Sequence, residues 1–165
     1  MLQKKVCVLG AFGVGKTSLI RRYVESIFSD SYLTTVGVKI SKKTIPVDTD
    51  TMTLILWDVA GEDDVTAIRM SYVRGAAGYL LVADGTRPET LEVARSIQGR
   101  AAAELGQDVP FLILLNKADL QVEWGIAAES IEALEQAGWT VVRTSAKTGD
   151  GVEDAFQSMA RRLLC

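Results

Sequence analysis

The chain has 165 residues, enough for one domain with a real core and too few for two, so residues 1–165 are expected to fold as a single unit. A net charge of −3 points to no nucleic-acid surface, and the absence of histidine excludes His-based catalysis and His metal ligation. Two cysteines make no disulfide framework and suit a reducing, cytoplasmic setting. No apolar run approaches the ~20 residues needed to cross a bilayer, and nothing ahead of Gly10 has the form of a signal peptide.

Strand and helix patterns then alternate. An apolar strand over Leu2 to Gly10 leads into a glycine-rich loop, Gly10-Ala-Phe-Gly-Val-Gly-Lys16-Thr17, and a helix follows from Lys16 to Ile27. Val36 to Val47 and Thr51 to Val59 are two strands joined at Asp48-Thr-Asp50, too close together for a crossover and therefore an antiparallel hairpin. A helix is expected over Asp63 to Arg74. Gly78 to Asp84 is a short apolar strand, and in Pro88 to Leu105 the residues Leu91, Ala94, Ile97, Ala101 and Leu105 fall on one helical face. Val109 to Leu115 is apolar enough to be a strand buried on both faces. A helix carrying Ala127, Ile131 and Leu134 ends at Gly138, Trp139 to Arg143 is the last strand, and Asp150 to Leu164 the last helix. Six strands and five helices in alternation imply an α/β fold with a mostly parallel sheet, one strand antiparallel, helices on both faces, and ligands at the carboxyl ends of the strands.

Four segments at those ends carry chemistry. In the loop Gly13, Val14, Gly15, Lys16, Thr17 and Ser18, glycines let successive backbone N–H groups turn inward around phosphate oxygens, and the helix start adds unpaired N–H groups. Lys16 reaches the outer phosphates of a nucleoside triphosphate and the Thr17 hydroxyl ligates Mg²⁺. The strand Leu54 to Trp57 ends in Asp58, placed to hold Mg²⁺ through water, and Gly61 lets its N–H approach a terminal phosphate. The strand Phe111 to Leu115 ends in Asn116-Lys117-Ala-Asp119. The Asp119 carboxylate can accept both the ring N–H and the amino group of guanine. Adenine lacks that ring N–H and would leave a buried acceptor unpaired, costing about 1–3 kcal/mol or more. Asn116 ties neighbouring loops together, the stem of Lys117 covers the base, and Ser145-Ala146-Lys147 brings a backbone N–H near a base oxygen.

With these segments in this order, the chain resembles a small GTPase of the Ras superfamily, most similar to the Rab type, over essentially its whole length. The resemblance implies a three-layer fold of the P-loop NTPase kind, binding of GTP and GDP with Mg²⁺, and GTP hydrolysis. It further implies that Phe28 packs beside the guanine, that Thr35 ligates Mg²⁺ when the γ-phosphate is present, and that Lys16, Thr35, Gly61 and Glu62 act on the reacting phosphate. Residues 29–38 and 60–74 would be two nucleotide-sensitive switches read by effectors, exchange factors and GTPase-activating proteins.

Two departures bear on turnover. The family's water-positioning Gln is Glu62 here, followed by Asp63 and Asp64, and Phe12 stands where the loop is normally small. A carboxylate can accept from water but cannot donate to phosphoryl oxygens, and it sets negative charge beside a charge-rich transition state. The expectation is a molecular switch whose intrinsic hydrolysis is slow or partner-dependent. The alternative is a guanine-nucleotide-bound interaction module that does not cycle. Arg161-Arg-Leu-Leu-Cys165 is neither a C-a-a-X box nor a polybasic patch, so peripheral membrane association is expected only through a longer, lipidated tail.

Overall fold

The computed structural model describes residues 2–24, 30–33, 38–61 and 67–164, with the backbone alone described at 30–33. Seven strands form one sheet: β1 (Leu2–Gly10), β2 (Asp30–Leu33), β3 (Val38–Val47), β4 (Asp50–Val59), β5 (Gly78–Asp84), β6 (Phe111–Asn116) and β7 (Val141–Arg143). Their order is β2-β3-β4-β1-β5-β6-β7. β1 pairs parallel with both β4 and β5, and β6 pairs parallel with β5 and β7. β3 runs antiparallel to β4 and to β2, so it alone opposes the rest.

The α/β class and the single antiparallel strand are as the sequence implies. The short edge strand β2 is additional: four residues without an apolar run give no pattern to read. The hairpin is tighter than expected, because Val47 pairs with Asp50 and only Asp48 and Thr49 turn the chain. Asp48 takes a left-handed conformation (φ 54°), which a two-residue hairpin turn demands and Asp tolerates.

Four α-helices occur among the described residues, α1 (Lys16–Val24), α2 (Glu89–Leu105), α3 (Ala128–Gln136) and α4 (Val152–Arg162), so the helix count differs from five. The segment expected to be helical over 63–74 lies partly outside the described residues. Its remainder holds one 3₁₀ turn, Met70–Tyr72. Ile68 and Val73 are buried there under the sheet, five residues apart, a spacing that an α-helical face does not supply.

The strands alternate between two cores. Val6 and Val8 of β1, with Leu112 and Leu114 of β6, face a layer containing Leu19, Ile20 and Tyr23 of α1 and Phe156 and Met159 of α4. Tyr23 and Phe156 stack there with ring centroids 4.0 Å apart. Cys7 and Leu9, with Ile113 and Leu115, face Leu91, Ala94 and Ile97 of α2 and Ile131 and Leu134 of α3. Coverage on both faces is why these strands are continuous apolar runs. The parallel strands all end on one edge of the sheet, at Gly10, Asp58-Val59, Asp84, Asn116 and Arg143. The polar residues at these ends gather on that edge.

Candidate nucleotide site

The loop from Gly10 to Thr17 crosses from the end of β1 to the start of α1. Gly13 (φ 76°) and Gly15 (φ 105°) take left-handed conformations, and a Cβ at Gly15 would collide with the Asn116 amide. The loop's carbonyls are engaged by side chains. Lys16 Nζ donates to the Ala11 carbonyl at 3.1 Å, Asn116 Nδ2 to the Val14 carbonyl at 3.0 Å, and Lys117 Nζ reaches the Gly13 carbonyl at 3.5 Å. In a trans peptide the C=O and the following N–H point opposite ways. Drawing the carbonyls of Gly13 and Val14 toward the protein therefore turns the N–H groups of Val14 and Gly15 the other way. A concavity of N–H groups of this kind binds anions.

A cavity of about 610 Å³ opens over this loop, lined by Phe12, Gly13, Gly15, Lys16, Thr17 and Ser18 and, opposite them, by Lys39, Asp58, Val59, Ala60, Gly61 and Lys117. A second cavity, of about 480 Å³, shares Gly15, Ser18 and Lys117 with the first and adds Asn116, Asp119, Leu120, Ala146 and Lys147. The two meet where the phosphate loop touches the loop after β6.

At the floor of the first cavity the Thr17 hydroxyl donates to Asp58 Oδ2 at 2.5 Å. Burial pushes the Asp58 carboxyl up, opposed by the Thr17 bond and the charges of Lys16 and Lys39. Burial lowers the Lys16 ammonium, opposed by Asp58 and reinforced by Arg87. Lys39 sits directly across from Asp58 in the β3–β4 register. Gly61 approaches the loop so closely that a Cβ there would lie 2.6 Å from Phe12 Cα, whereas the Phe12 side chain itself is 69% exposed.

In the second cavity Asn116 is 2% exposed and holds three segments at once. Besides its bond to Val14, its Oδ1 accepts from Thr144 Oγ1 at 3.2 Å and from the Ala146 N–H at 3.3 Å. Asp119 Oδ1 accepts from Ser145 Oγ at 2.7 Å, and that hydroxyl in turn accepts from the Thr148 N–H. Asp119 is thereby oriented at the cavity wall by the loop that carries Ala146 and Lys147.

A Ras family model matches residues 5–165. The chain belongs to the Ras family of small GTPases, and its relatives make it Rab-like. It is 33% identical over 161 residues to the Ras-related protein Rab-13 of Canis lupus familiaris, covering 97% of this chain and 79% of the relative. It is 34% identical over 158 residues to the Ras-related protein Rab-1D of Dictyostelium discoideum, covering 95% and 78%. With the GTP-binding protein YPTM2 of Zea mays it shares 33% over 157 residues, covering 94% and 77%.

Of the site residues read from the sequence of this GTPase, Gly13, Val14, Gly15, Lys16, Thr17, Ser18, Asp58, Gly61, Asn116, Lys117, Asp119, Ser145, Ala146 and Lys147 come together around the two joined cavities. Phe28, Thr35 and Glu62 lie outside the described residues. Mg²⁺ suits the donors at the cavity floor: a hydroxyl and a carboxylate are hard oxygen ligands, and Mg²⁺ usually takes one or two protein carboxylates while keeping waters and substrate phosphates. Among the described residues there is no cluster of three or more Asp, Glu, Cys or His side chains that could hold a metal. No described helix is long and apolar enough to cross a membrane.

Sequence reading missed Lys39, Asp84 and Arg87. Asp84 carried the signal used for Asp58, a carboxylate closing an apolar strand. It is fully buried, and its Oδ2 accepts from Lys117 Nζ at 2.8 Å.

Proposed function

We propose that the chain, acting as one nucleotide-binding unit over residues 1–165, is a GTP-dependent switch whose unaided hydrolysis is slow. The observation that carries this reading is the junction of the two cavities across Gly15, Ser18 and Lys117. One is lined by a phosphate loop, two further lysines and Asp58, and the other by Asn116 and Asp119. Their continuity suits a ligand with a polyanionic end and a planar, hydrogen-bonding end, which is a guanine nucleotide.

In this reading Gly13, Val14, Gly15, Lys16, Thr17 and Ser18 hold the phosphates. Asp119 accepts from the guanine ring N–H and amino group, Lys117 covers one face of the base, and Phe28 packs beside it. Asn116, Ser145, Ala146 and Lys147 set the depth at which the base sits. Thr17, Thr35 and Asp58 would hold Mg²⁺, which when bound neutralises charge on the β- and γ-phosphate oxygens.

For hydrolysis a water attacks the γ-phosphorus in line and passes a proton to the phosphate oxygens, the bond to the β–γ bridging oxygen breaks, and GDP leaves with the electron pair of that bond, releasing inorganic phosphate. Lys16 stays protonated against the phosphates and stabilises charge that builds on the leaving side. Gly61 offers its N–H to a γ-oxygen, while Glu62 can accept from the water but cannot donate to the transferring group. Missing donation and an added negative charge both raise the barrier. Segments 29–38 and 60–74 then report the nucleotide to effectors, exchange factors and GTPase-activating proteins.

Single-turnover hydrolysis by the purified chain tests this. The expected rate is at or below ~10⁻⁴ s⁻¹, the scale of unassisted Ras, and Glu62→Gln speeds it. A rate well above that value, or a Glu62→Gln variant no faster than the parent, refutes slow turnover through Glu62.

A further inference from the structure

The turn joining β5 to α2 is densely bonded and lies outside the nucleotide motifs. Asp84, fully buried, accepts from the N–H and hydroxyl of Thr86 through Oδ1, at 2.8 and 2.7 Å. Its Oδ2 is shared by two cations, Lys117 Nζ at 2.8 Å and Arg87 Nε at 3.0 Å. Arg87 continues past Asp84 and donates from Nη2 to the Phe12 carbonyl at 2.9 Å. The Arg87 backbone is itself fixed, its N–H bonding the Asp84 carbonyl and its own carbonyl accepting from the Thr90 hydroxyl at 2.7 Å. On the other side, the Gly85 N–H donates to the Asn116 carbonyl at 2.9 Å.

We propose that Asp84 and Arg87 are positioning residues for the bound nucleotide, one carboxylate clasping the cation at the phosphate-loop apex to the cation on the base-binding loop. This rests on the reading of the joined cavities as a guanine-nucleotide site. Arg87 holds the Phe12 carbonyl and so turns the Gly13 N–H the opposite way, as Lys117 and Asn116 do for the next two peptides. Three consecutive N–H groups, those of Gly13, Val14 and Gly15, are thus aimed by three side chains. Asp84 sets the spacing between two of those side chains. Burial alone would push its carboxyl up, but the bonds from Lys117, Thr86 and Arg87 outweigh that and hold it down at about 2. The clasp therefore stays charged at any physiological pH. Neither residue lines the cavity, so both act through the loop backbone and Lys117.

The test uses the full chain loaded with a fluorescent GDP analogue and chased with unlabelled GDP. Arg87→Ala is the informative variant, because Arg87 is 40% exposed at the side chain and its loss leaves the core intact. Release is expected to speed roughly tenfold, the scale of one charge-assisted hydrogen bond. Affinity should fall for GDP, whose outer phosphate meets the loop apex, and hold for GMP. A general loss of stability would lower both alike. Lys117→Ala should weaken both nucleotides, and the double variant should lose less than the product of the two effects, since the pair shares one oxygen. Arg162→Ala, which breaks an exposed bond to the Thr140 hydroxyl away from both cavities, should leave release unchanged. Unaltered release in Arg87→Ala, or equal losses for GDP and GMP, overturns the clasp while the nucleotide site stands. Failure of the parent chain to bind guanine nucleotides overturns both.

Discussion

Asn116→Ala puts the joined-cavity reading to its strongest test. The amide sits at 2% exposure and makes three hydrogen bonds to two other segments: one to Val14 of the phosphate loop, and two to Thr144 and Ala146 in the stretch after β7. Truncation removes all three and leaves a carbonyl, a hydroxyl and an N–H to find other partners. At about 1 kcal/mol for each bond the loss is about 3 kcal/mol. These bonds join the loops that would surround the two ends of one ligand, so the loss should fall on nucleotide retention as well as on the fold. Three kcal/mol placed wholly on binding is roughly a hundredfold in release rate. The assay is release of fluorescent GDP measured beside urea unfolding of the same loaded protein. Release faster by about one to two orders of magnitude is expected. If release changes by less than about threefold while the urea midpoint falls, Asn116 is a structural bolt only, and holding the Val14 carbonyl does not shape the anion site.

Other expectations follow from single groups. Burial pushes the Cys7 thiol up to about 12, so almost no thiolate exists near pH 8, and alkylation followed by mass spectrometry should leave the Cys7 peptide unmodified until urea unfolds the chain. The Tyr23 hydroxyl is buried without a hydrogen-bond partner among the described residues. Tyr23→Phe should therefore raise stability by up to about 1 kcal/mol in urea titration. Asp84, near 2 in the folded state against an unfolded value of about 3.9, contributes stability above the unfolded value and loses it as pH falls toward 2. Asp84→Asn should cost about 2 kcal/mol at pH 7, and its stability should converge on the parent's as the pH approaches 2.

The sheet was legible because its central strands are covered on both faces. Runs such as Phe111 to Leu115 then need no polar alternation to be recognised. The motif residues were legible for a related reason, since Gly13 to Ser18 and Asn116 to Asp119 are each one short run of consecutive residues at a strand or helix end. What stayed hidden depends on distance in the chain. Arg87 bonds a carbonyl 75 positions away, and Asn116, legible as a tie between loops, finds its partner carbonyl 102 positions away. No periodicity encodes such pairings. The 3₁₀ turn at Met70–Tyr72 was hidden differently: Ile68, Val73 and Ala76 are placed by the sheet they cover, so tertiary burial overrides the local pattern that suggested a helix.

An acidic chain can hold a polyphosphate because its charges are distributed unevenly. Although the net charge is −3, the described lining of the first cavity sets Lys16, Lys39 and Lys117 against Asp58. Helix ends repeat the bias. α2, α3 and α4 each carry acidic residues in the first turn, at Glu89 and Glu92, at Glu129, and at Glu153 and Asp154, where they offset the positive end of the helix dipole. α1 carries none, and its first turn is Lys16-Thr17-Ser18. Its uncompensated positive end points into the same cavity as the three lysines. In the proposed reading the phosphates supply the negative charge that the other three helices take from their own side chains. Occupancy should then stabilise α1 and the loop before it more than the opposite end of the sheet. Hydrogen exchange with and without GDP reads this directly: protection confined to Gly13–Ile20 and the loop after β6 supports the argument, and uniform protection across all four helices refutes it.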